Sequence, residues 1–207
     1  MFQDRESAGH ELADRMQDRD VDVDLVLGVP RGGLPAARIV ADAYDVPLDV
    51  IAAKKLGAPQ NPELAIGAAA SDGTVWLNEG LISRLGVPDD YVENERATAM
   101  STAAEKERTY REERDAPDIE GHRVAIVDDG VATGATMKAS IRAVQNQGAA
   151  AVVVGVPVGP PDTVDELREE ADEVIVVEQP ASFGAIGAHY RDFSQVSDEA
   201  AMTYLRQ

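Results

Sequence analysis

The amino-acid sequence predicts an α/β protein with a doubly wound, mostly parallel β-sheet. Two observations support this fold class. The first is a set of short, β-branched runs of almost continuous apolar character, typical of strands buried on both faces of a parallel sheet: DLVLGV, DVIAA, RVAIV, AAVVVGVPV and EVIVV. The second is that these runs alternate with segments of helical length, the order that gives parallel strands joined by crossover helices.

The first part of the chain follows this alternation and then departs from it. The predicted elements are, in order, a helix at 5–19, a strand at 24–29, a helix at 34–44 and a strand at 48–53. Residues 63–79 break the rhythm, because two short extended runs flank Ser71-Asp72-Gly73 and an Asp-Gly turn between such runs is typical of a β-hairpin.

Residues 89–113 are dense in Glu, Arg and Ala with charges of alternating sign, which predicts a long solvated helix laced with ion pairs one turn apart. Arg108 or Arg111 of this helix could also reach a phosphate or a neighbouring subunit, and the sequence does not choose between these roles. The alternation then returns, with a strand at 123–128, a helix at 134–147, a strand at 151–156, a helix at 162–170 and a strand at 174–178.

The tail from Gln179 to Gln207 is irregular at first and is predicted to be helical from Asp198. The chain therefore divides into a core, residues 1–178, which includes the hairpin, and a small C-terminal unit, residues 179–207. Because ligands bind at the carboxyl ends of strands in open parallel sheets, we expect the site just after these ends: Val29, Ala53, Val127, Val156 and Val177.

The charge of the chain limits its partners. It carries 38 acidic and 19 basic residues, a formal net charge of −19, so we expect neither nucleic acid nor a membrane surface as a partner. The acids are scattered rather than grouped, which favours a halophilic, salt-adapted surface over an interface for a basic partner. Lysine is scarce, which makes each lysine informative: Lys54, Lys55, Lys106 and Lys138.

Further classes are excluded by what the sequence lacks. Without cysteine there is no disulfide, thiolate metal site or cysteine nucleophile. No apolar run approaches the roughly 20 residues of a membrane span, and the charged N-terminus has no signal-peptide apolar region. We therefore expect a cytoplasmic protein. The three histidines show no metal-ligand spacing.

The segment HRVAIVDDGVATGATMKAS carries the main candidate site. Asp128 and Asp129 end the apolar strand, and the turn from Gly130 to Thr136 leads into a helix. Backbone N–H groups at a helix N-terminus bind phosphate, and glycine allows the backbone to approach closely. The two carboxylates accept hydrogen bonds from sugar hydroxyls. The predicted ligand is a ribose 5-phosphate group, with its phosphate on Ala132, Thr133, Gly134, Ala135 and Thr136.

Four apolar residues, an acid pair and a Thr/Gly turn in this register resemble the 5-phosphoribosyl pyrophosphate (PRPP) motif of type I phosphoribosyltransferases. The pattern is most similar to members of that family without an assigned acceptor. Two other interpretations are an acid pair that caps an ordinary strand and an acidic pocket like that of response regulators. Neither accounts for the Thr-Gly-Ala-Thr turn.

Two further segments fit pyrophosphate under this resemblance. Pro30-Arg31-Gly32-Gly33 follows the first strand, where the family's pyrophosphate loop lies, and Arg31 offers a forked cation while Gly32 and Gly33 offer unhindered N–H groups. The pair Lys54-Lys55 is predicted at the end of the second strand and could neutralise the same group. The alternatives are a plain Gly-rich turn and a pair of lysines that simply reach solvent.

The resemblance also assigns roles to the hairpin and the tail. In the family, the region of the 63–79 hairpin forms a mobile flap that excludes water from a reactive sugar cation, and a hood binds the acceptor. Phe183 or Tyr190 of the tail could stack on a planar base. The alternative, for Phe193 and for Tyr190, is that the ring packs in the core between the tail and the sheet.

The implied reaction transfers the 5-phosphoribosyl group from PRPP to a nitrogenous acceptor and releases pyrophosphate. Asp128, Asp129 and Arg31 are the predicted catalytic residues. The resemblance implies Mg²⁺ that arrives with PRPP, without direct protein ligands, and a homodimer. A rival hypothesis is a regulator that binds PRPP without turnover. A metal-dependent phosphohydrolase is a weaker one, because no carboxylates stand at other strand ends.

Overall fold

The computed structural model describes residues 1–112 and 114–206. Its strands are β1 (Leu25–Gly28), β2 (Leu48–Val50), β3 (Ala53–Ala58), β4 (Asn61–Ala70), β5 (Val75–Leu77), β6 (Arg123–Val127), β7 (Ala151–Val158) and β8 (Glu173–Glu178). Its helices are α1 (Arg5–Gln17), α2 (Leu34–Tyr44), α3 (Glu79–Leu85), α4 (Asp89–Arg111), α5 (Ala135–Asn146), α6 (Pro161–Arg168) and α7 (Asp198–Leu205), with a 3₁₀ helix at Ile186–His189.

Five parallel strands form the main sheet in the order β2-β1-β6-β7-β8, which confirms the predicted fold class. The chain winds outward from β1 to β2 and then returns to β6 on the other side of β1. The direction of winding therefore changes between β1 and β6, where Gly28 lies beside Val127. Ligands bind in the crevice at such a switch point, so the loops after β1 and β6 meet where a site is expected.

The sheet is buried on both faces, as the apolar runs predict. In β6, Val124 and Ile126 pack into a core that includes Ile141 of α5. The alternate residues Ala125 and Val127 pack into a second core with α1 and α2. Successive side chains of a strand point to opposite faces, so a strand covered on both sides must be apolar throughout.

A second, antiparallel sheet contains β3, β4 and β5 in that order. The predicted hairpin is present as β4 and β5, closed at Ser71–Thr74 with Gly73 at a φ of 88°. It packs on α5 through an alanine-rich contact that includes Ala68, Ala135 and Ala139.

The second strand is shorter than predicted, and this changes the place of the paired lysines. β2 ends at Val50, and the amide of Ala52 donates to the Glu107 carboxylate at 2.8 Å instead of continuing the ladder. β3 begins at Ala53, so Lys54 and Lys55 belong to the antiparallel sheet and not to the end of the second parallel strand. The prediction of their position was wrong.

The polar helix is present as α4, and Glu113 lies outside the described residues. Arg108 is exposed. Arg111 instead donates to Asp49 at 3.0 Å, to Glu107 at 2.9 Å and to the carbonyl of Val50 at 2.8 Å. The structure therefore places Arg111 in a network that ties α4 to β2, rather than at a phosphate.

The tail packs back on the start of the chain. Phe2 forms a parallel bridge with Tyr190, and its amide donates to the carbonyl of His189 at 2.8 Å. α7 begins at the predicted Asp198, where the Ser197 hydroxyl caps the amide of Ala200. No helix in residues 1–112 or 114–206 has the length and apolar character to span a membrane.

Candidate active site

A cavity of about 350 Å³ opens at the carboxyl ends of β1 and β6, where the sheet's winding reverses. Its walls come from both sheets, α4, α5 and the tail. The lining residues are Val29, Pro30, Ala53, Lys54, Lys55, Lys106, Asp128, Gly130, Val131, Ala132, Thr133, Gly134, Ala135, Thr136, Met137 and Ile186. Asp128, the lysine pair and the whole 132–136 turn are thus brought together from distant parts of the sequence.

The turn after β6 is shaped to receive an anion. Gly134 has a φ of 73°, and the first hydrogen bond of α5 runs from the Lys138 amide to its carbonyl at 2.8 Å. In the described part of the chain, the amides of Ala132, Thr133 and Gly134 donate to no backbone carbonyl. The Thr163 hydroxyl donates to the carbonyl of Ala132 at 2.7 Å and fixes the turn from below. Such a helix N-terminus favours phosphate.

The two acids of the motif are not equivalent. Asp128 is half-buried and lines the cavity, and its Oδ1 accepts a hydrogen bond from the Asp129 amide at 2.8 Å. Asp129 is 8% exposed, and its Oδ2 lies 2.7 Å from Nε of Arg5 on α1. The sequence predicted that both carboxylates face the sugar, whereas the structure directs one to the cavity and the other to Arg5.

Burial dominates the electrostatics of this pair. It raises the pKa of the Asp128 carboxyl well above its usual range, and the Asp129 charge raises it further while Lys106 lowers it. Burial also raises the pKa of Asp129, and the hydrogen bond and charge of Arg5 oppose that shift. A carboxylate with a raised pKa accepts a hydrogen bond or a proton readily.

The loop after β1 holds Arg31 away from the cavity. Pro30 lines the cavity, but the Arg31 guanidinium lies 3.7 Å from Asp198 of α7. The two glycines have a steric role at this point. A Cβ on Gly32 would lie 2.1 Å from Oδ2 of Asp129, and one on Gly33 would lie 2.8 Å from Cα of Asp128. The loop thus needs both glycines to pack against the acid pair.

Lys106 of α4 is a cavity residue that the sequence motifs missed. Its Nζ donates to the carbonyl of Pro30 at 2.5 Å. Burial lowers the pKa of Lys106, and the nearby Arg31 and Lys54 lower it further, against the opposing effect of Asp128. Three of the chain's four lysines, Lys54, Lys55 and Lys106, therefore line one cavity of a protein with a net charge of −19. The scarcity of lysine was the signal that could have found Lys106.

The tail reaches the cavity through Ile186 and not through the predicted aromatic residues, Phe183 and Tyr190. Tyr190 is 6% exposed, its ring lies 5.3 Å from that of Phe2, and its hydroxyl donates to the carbonyl of Asp129 at 2.5 Å. Phe183 stacks on His189 at 5.3 Å. Neither ring lines the cavity, which Ile186 reaches instead. Tyr190 packs in a buried cluster with Phe2, as the alternative interpretation held for that ring, and Phe183 packs against the same cluster.

In residues 1–112 and 114–206, no three His, Cys, Asp or Glu side chains are grouped to hold a metal ion. The cavity nevertheless fits Mg²⁺ that arrives with an anionic ligand. Mg²⁺ of this kind is held mainly by phosphate oxygens and water, and the lysines and the 132–136 turn that would hold such a ligand line the cavity.

Comparison with known proteins decides the family. The family model described as "Phosphoribosyl transferase domain" matches residues 68–190, more than half of the chain. The chain belongs to the phosphoribosyltransferase family. The recognition made from the acid pair and the Thr/Gly turn is confirmed. The match includes the segment from Asp128 to Thr136 and lies C-terminal to Arg31 and Lys54-Lys55.

Relatives of this chain include a Mycobacterium tuberculosis protein named "putative phosphoribosyl transferase". It is 40% identical over 208 residues, which cover 99% of this chain and 46% of that protein. The chain thus spans about half the length of the curated relatives it matches.

Among solved structures, TT1426 from Thermus thermophilus matches with a TM-score of 0.84 and 38% identity, over 99% of this chain and 97% of that one. AQ2163 from Aquifex aeolicus matches with a TM-score of 0.54 and 10% identity, over 88% of this chain and 78% of that one. The second likeness is one of fold alone.

Proposed function

We propose that the chain transfers the 5-phosphoribosyl group from PRPP to a nitrogenous acceptor and releases pyrophosphate. The observation that carries this proposal is that positively charged groups and one carboxylate line the same cavity. Three lysines and the amides of a helix N-terminus suit a ligand with a phosphate at one end and a pyrophosphate at the other, and a single inward carboxylate suits the sugar between them. A cavity of about 350 Å³ suits a ligand of this size.

The ligand orientation follows from the position of these groups. The 5′-phosphate binds the turn from Ala132 to Thr136, where unbonded amides and two threonine hydroxyls surround it. The ribose hydroxyls donate to Asp128. The pyrophosphate extends towards Lys54, Lys55 and Lys106, with the Pro30–Gly33 loop beside it.

In the proposed reaction, the bond from ribose C1 to the pyrophosphate oxygen breaks, and pyrophosphate leaves with the electron pair. The lone pair of the acceptor nitrogen forms the new bond to C1, and that nitrogen then loses its proton to solvent. Mg²⁺ bound with PRPP would neutralise charge on the pyrophosphate oxygens.

The chain's own residues contribute charges that are already in position before the transition state forms. Asp128 balances the positive charge that develops on the ribose ring, and the lysines balance the negative charge on the leaving pyrophosphate. The turn and the carboxylate hold the sugar at both ends, which orients C1. Ile186 and Val131 cover part of the cavity wall with apolar surface, which limits competition from water.

Among the described residues, none that lines the cavity is Phe, Tyr or Trp, so the acceptor side of the site has no aromatic platform there. We therefore propose that the acceptor is held by apolar contact and hydrogen bonds rather than by stacking on Phe183 or Tyr190. The same proposal includes four features implied by the sequence: a homodimer, a tail that forms the acceptor hood, a mobile flap at 63–79 and adaptation to concentrated salt.

A pyrophosphate-release assay with Mg-PRPP tests the function, using a panel of nucleobases and small amines in molar salt. Asp128→Asn is expected to lower release about 100-fold, the usual effect of losing one group that stabilises transition-state charge. Asp14→Asn, an exposed acid on α1, is the matched control and keeps full release.

Binding of Mg-PRPP by calorimetry separates the remaining possibilities. Tight binding without release for any acceptor would replace the transferase with a PRPP-binding regulator. No binding at all would overturn both interpretations of the cavity.

A further inference from the structure

Arg5 joins three parts of the molecule behind the cavity. Its Nε donates to Asp129 Oδ2 at 2.7 Å, and its Nη1 donates to the carbonyl of Ser194 at 2.8 Å. Its guanidinium carbon lies 3.8 Å from the centre of the Phe193 ring. The side chains of Arg5 and Asp129 are each only 11% exposed. Arg5 lies outside the residues that the family model matches.

The Asp129 carboxylate in turn shapes the loop after β1. Its Oδ2 occupies the space in which any side chain at position 32 would lie, since a Cβ there would approach to 2.1 Å. The Tyr190 hydroxyl holds the backbone carbonyl of the same residue at 2.5 Å. Asp129 is therefore fixed on both its side chain and its backbone, beneath the loop that lies beside the proposed pyrophosphate.

We propose that Arg5 is a positioning residue for the ribose and pyrophosphate site. It holds Asp129 under Gly32 and balances its charge, so that Asp128 is the single carboxylate offered to the sugar. The inference rests on the proposed function for its ligand, but the ion pair itself can be tested without any ligand.

Charged and polar groups from three elements face the acid pair. Arg5 of α1 faces Asp129, Lys106 of α4 faces Asp128, and the Tyr190 hydroxyl of the tail donates to the backbone carbonyl of Asp129. Without Arg5, the buried Asp129 would lose the cation that contacts it, beside the half-buried Asp128 that faces Lys106. Like charges this close disfavour ionisation of both groups.

The first measurement follows the carboxyl groups of the free protein by ¹³C NMR as pH is varied. Arg5→Met removes a cation from the charged form of Asp129, so the pH midpoint of the acid pair is expected to rise by about one unit or more. Arg5→Lys keeps the charge and is expected to hold the midpoint near that of the wild type. Arg15→Met, an exposed arginine on the same helix, is the matched control and leaves the midpoint unchanged.

The second measurement is the affinity for Mg-PRPP at pH 8. Arg5→Met is expected to weaken binding about tenfold, which corresponds to about 1.4 kcal/mol, because the uncompensated carboxylate repels the polyanion. The double variant Arg5→Met/Asp129→Asn removes both charges of the pair and is expected to recover most of this loss. The double variant also separates an effect of charge on affinity from an effect of misfolding, because it lacks the ion pair but leaves neither residue with an unpaired charge.

The outcomes distinguish the inference from the function on which it rests. An unchanged carboxyl midpoint in Arg5→Met would overturn the inference. So would a double variant that loses as much affinity as Asp128→Asn, because Asp129 would then contact the sugar itself. If the wild type does not bind Mg-PRPP, the proposed function fails, and the midpoint alone decides whether Arg5 fixes the charge of Asp129.

Discussion

At the scale of single residues, Lys106 gives the sharpest expectation. Its ammonium group lies against the carbonyl of Pro30 in a partly buried position, and burial lowers its pKa. As pH rises, Lys106 therefore loses its charge earlier than an exposed lysine would. A bound polyanion favours the charged form, so binding of Mg-PRPP at alkaline pH is expected to take up a proton.

Lys106→Met is expected to weaken Mg-PRPP binding at least tenfold and to abolish this proton uptake. Calorimetry in buffers of different ionisation enthalpy measures both quantities. Arg108→Met removes a charge from the same helix outside the cavity and serves as the control. Equal affinities for the two variants would show that Lys106 does not contact the ligand.

The residues that the sequence identified and those that it missed differ in how far apart their partners lie. Asp128 and the 132–136 turn lie within one nine-residue segment, 128–136, so one local pattern revealed them. The contact between Arg5 and Asp129 joins residues 124 positions apart, and that between Lys106 and Pro30 joins residues 76 apart. Arg31 was predicted to face pyrophosphate because of the loop in which it lies, yet its guanidinium lies beside Asp198 of the tail. Contacts of this kind depend on tertiary packing, which periodicity does not report.

At the scale of elements, α4 packs on the antiparallel sheet through apolar residues such as Val92 and Ala99, and buried charge ties it to β2. Arg111 pairs with Asp49 and Glu107, which are 6% and 7% exposed. Glu107 also accepts from the Ala52 amide and the Ser71 hydroxyl, both at 2.8 Å. This network connects α4 to β2 and to the hairpin, and so it fixes the helix that carries Lys106.

Arg111→Met is expected to lower the free energy of unfolding by about 3–5 kcal/mol, because it leaves two buried carboxylates without their cation. Arg108→Met, which changes an exposed position, is expected to change it by less than about 0.5 kcal/mol. Chemical denaturation of both variants makes the comparison. A loss in Arg111→Met no larger than in the control would mean that solvent reaches the network.

The ends of helices and strands are also hard to predict where a distant residue determines them. Residues 34–44 were predicted as a helix and are one, because a Gly turn and Pro35 mark its start. The end of β2 was missed because the run DVIAA stays apolar through it, and what ends the ladder is the Glu107 carboxylate on a distant helix. α3 was also missed, although Asn78 caps it by accepting from the Leu81 amide at 3.0 Å.

At the scale of the whole molecule, two opposed electrostatic fields coexist. The chain has a net charge of −19, so its surface repels itself, while one cavity concentrates three of its four lysines. The fold class could be predicted because parallel-strand burial is a property of whole segments. The gathering of lysines could not, because it depends on where β3 and α4 meet the main sheet.

Salt is therefore expected to act on folding and on binding with opposite signs. Raising KCl from about 0.1 M to about 1 M shortens the screening length from about 10 Å to about 3 Å. The free energy of unfolding should rise, because repulsion among scattered carboxylates is screened. The affinity for Mg-PRPP should fall over the same range, because the lysines are screened from the polyanion.

Denaturation and calorimetry along one salt series measure both slopes. Lys106→Met should flatten the slope of affinity and leave the slope of stability unchanged, since one lysine alters the net charge little. Stability that is constant across the series would show that the acidic surface does not strain the fold. Affinity that rises with salt would show that the charges of Lys54, Lys55 and Lys106 in the cavity are not what binds the ligand.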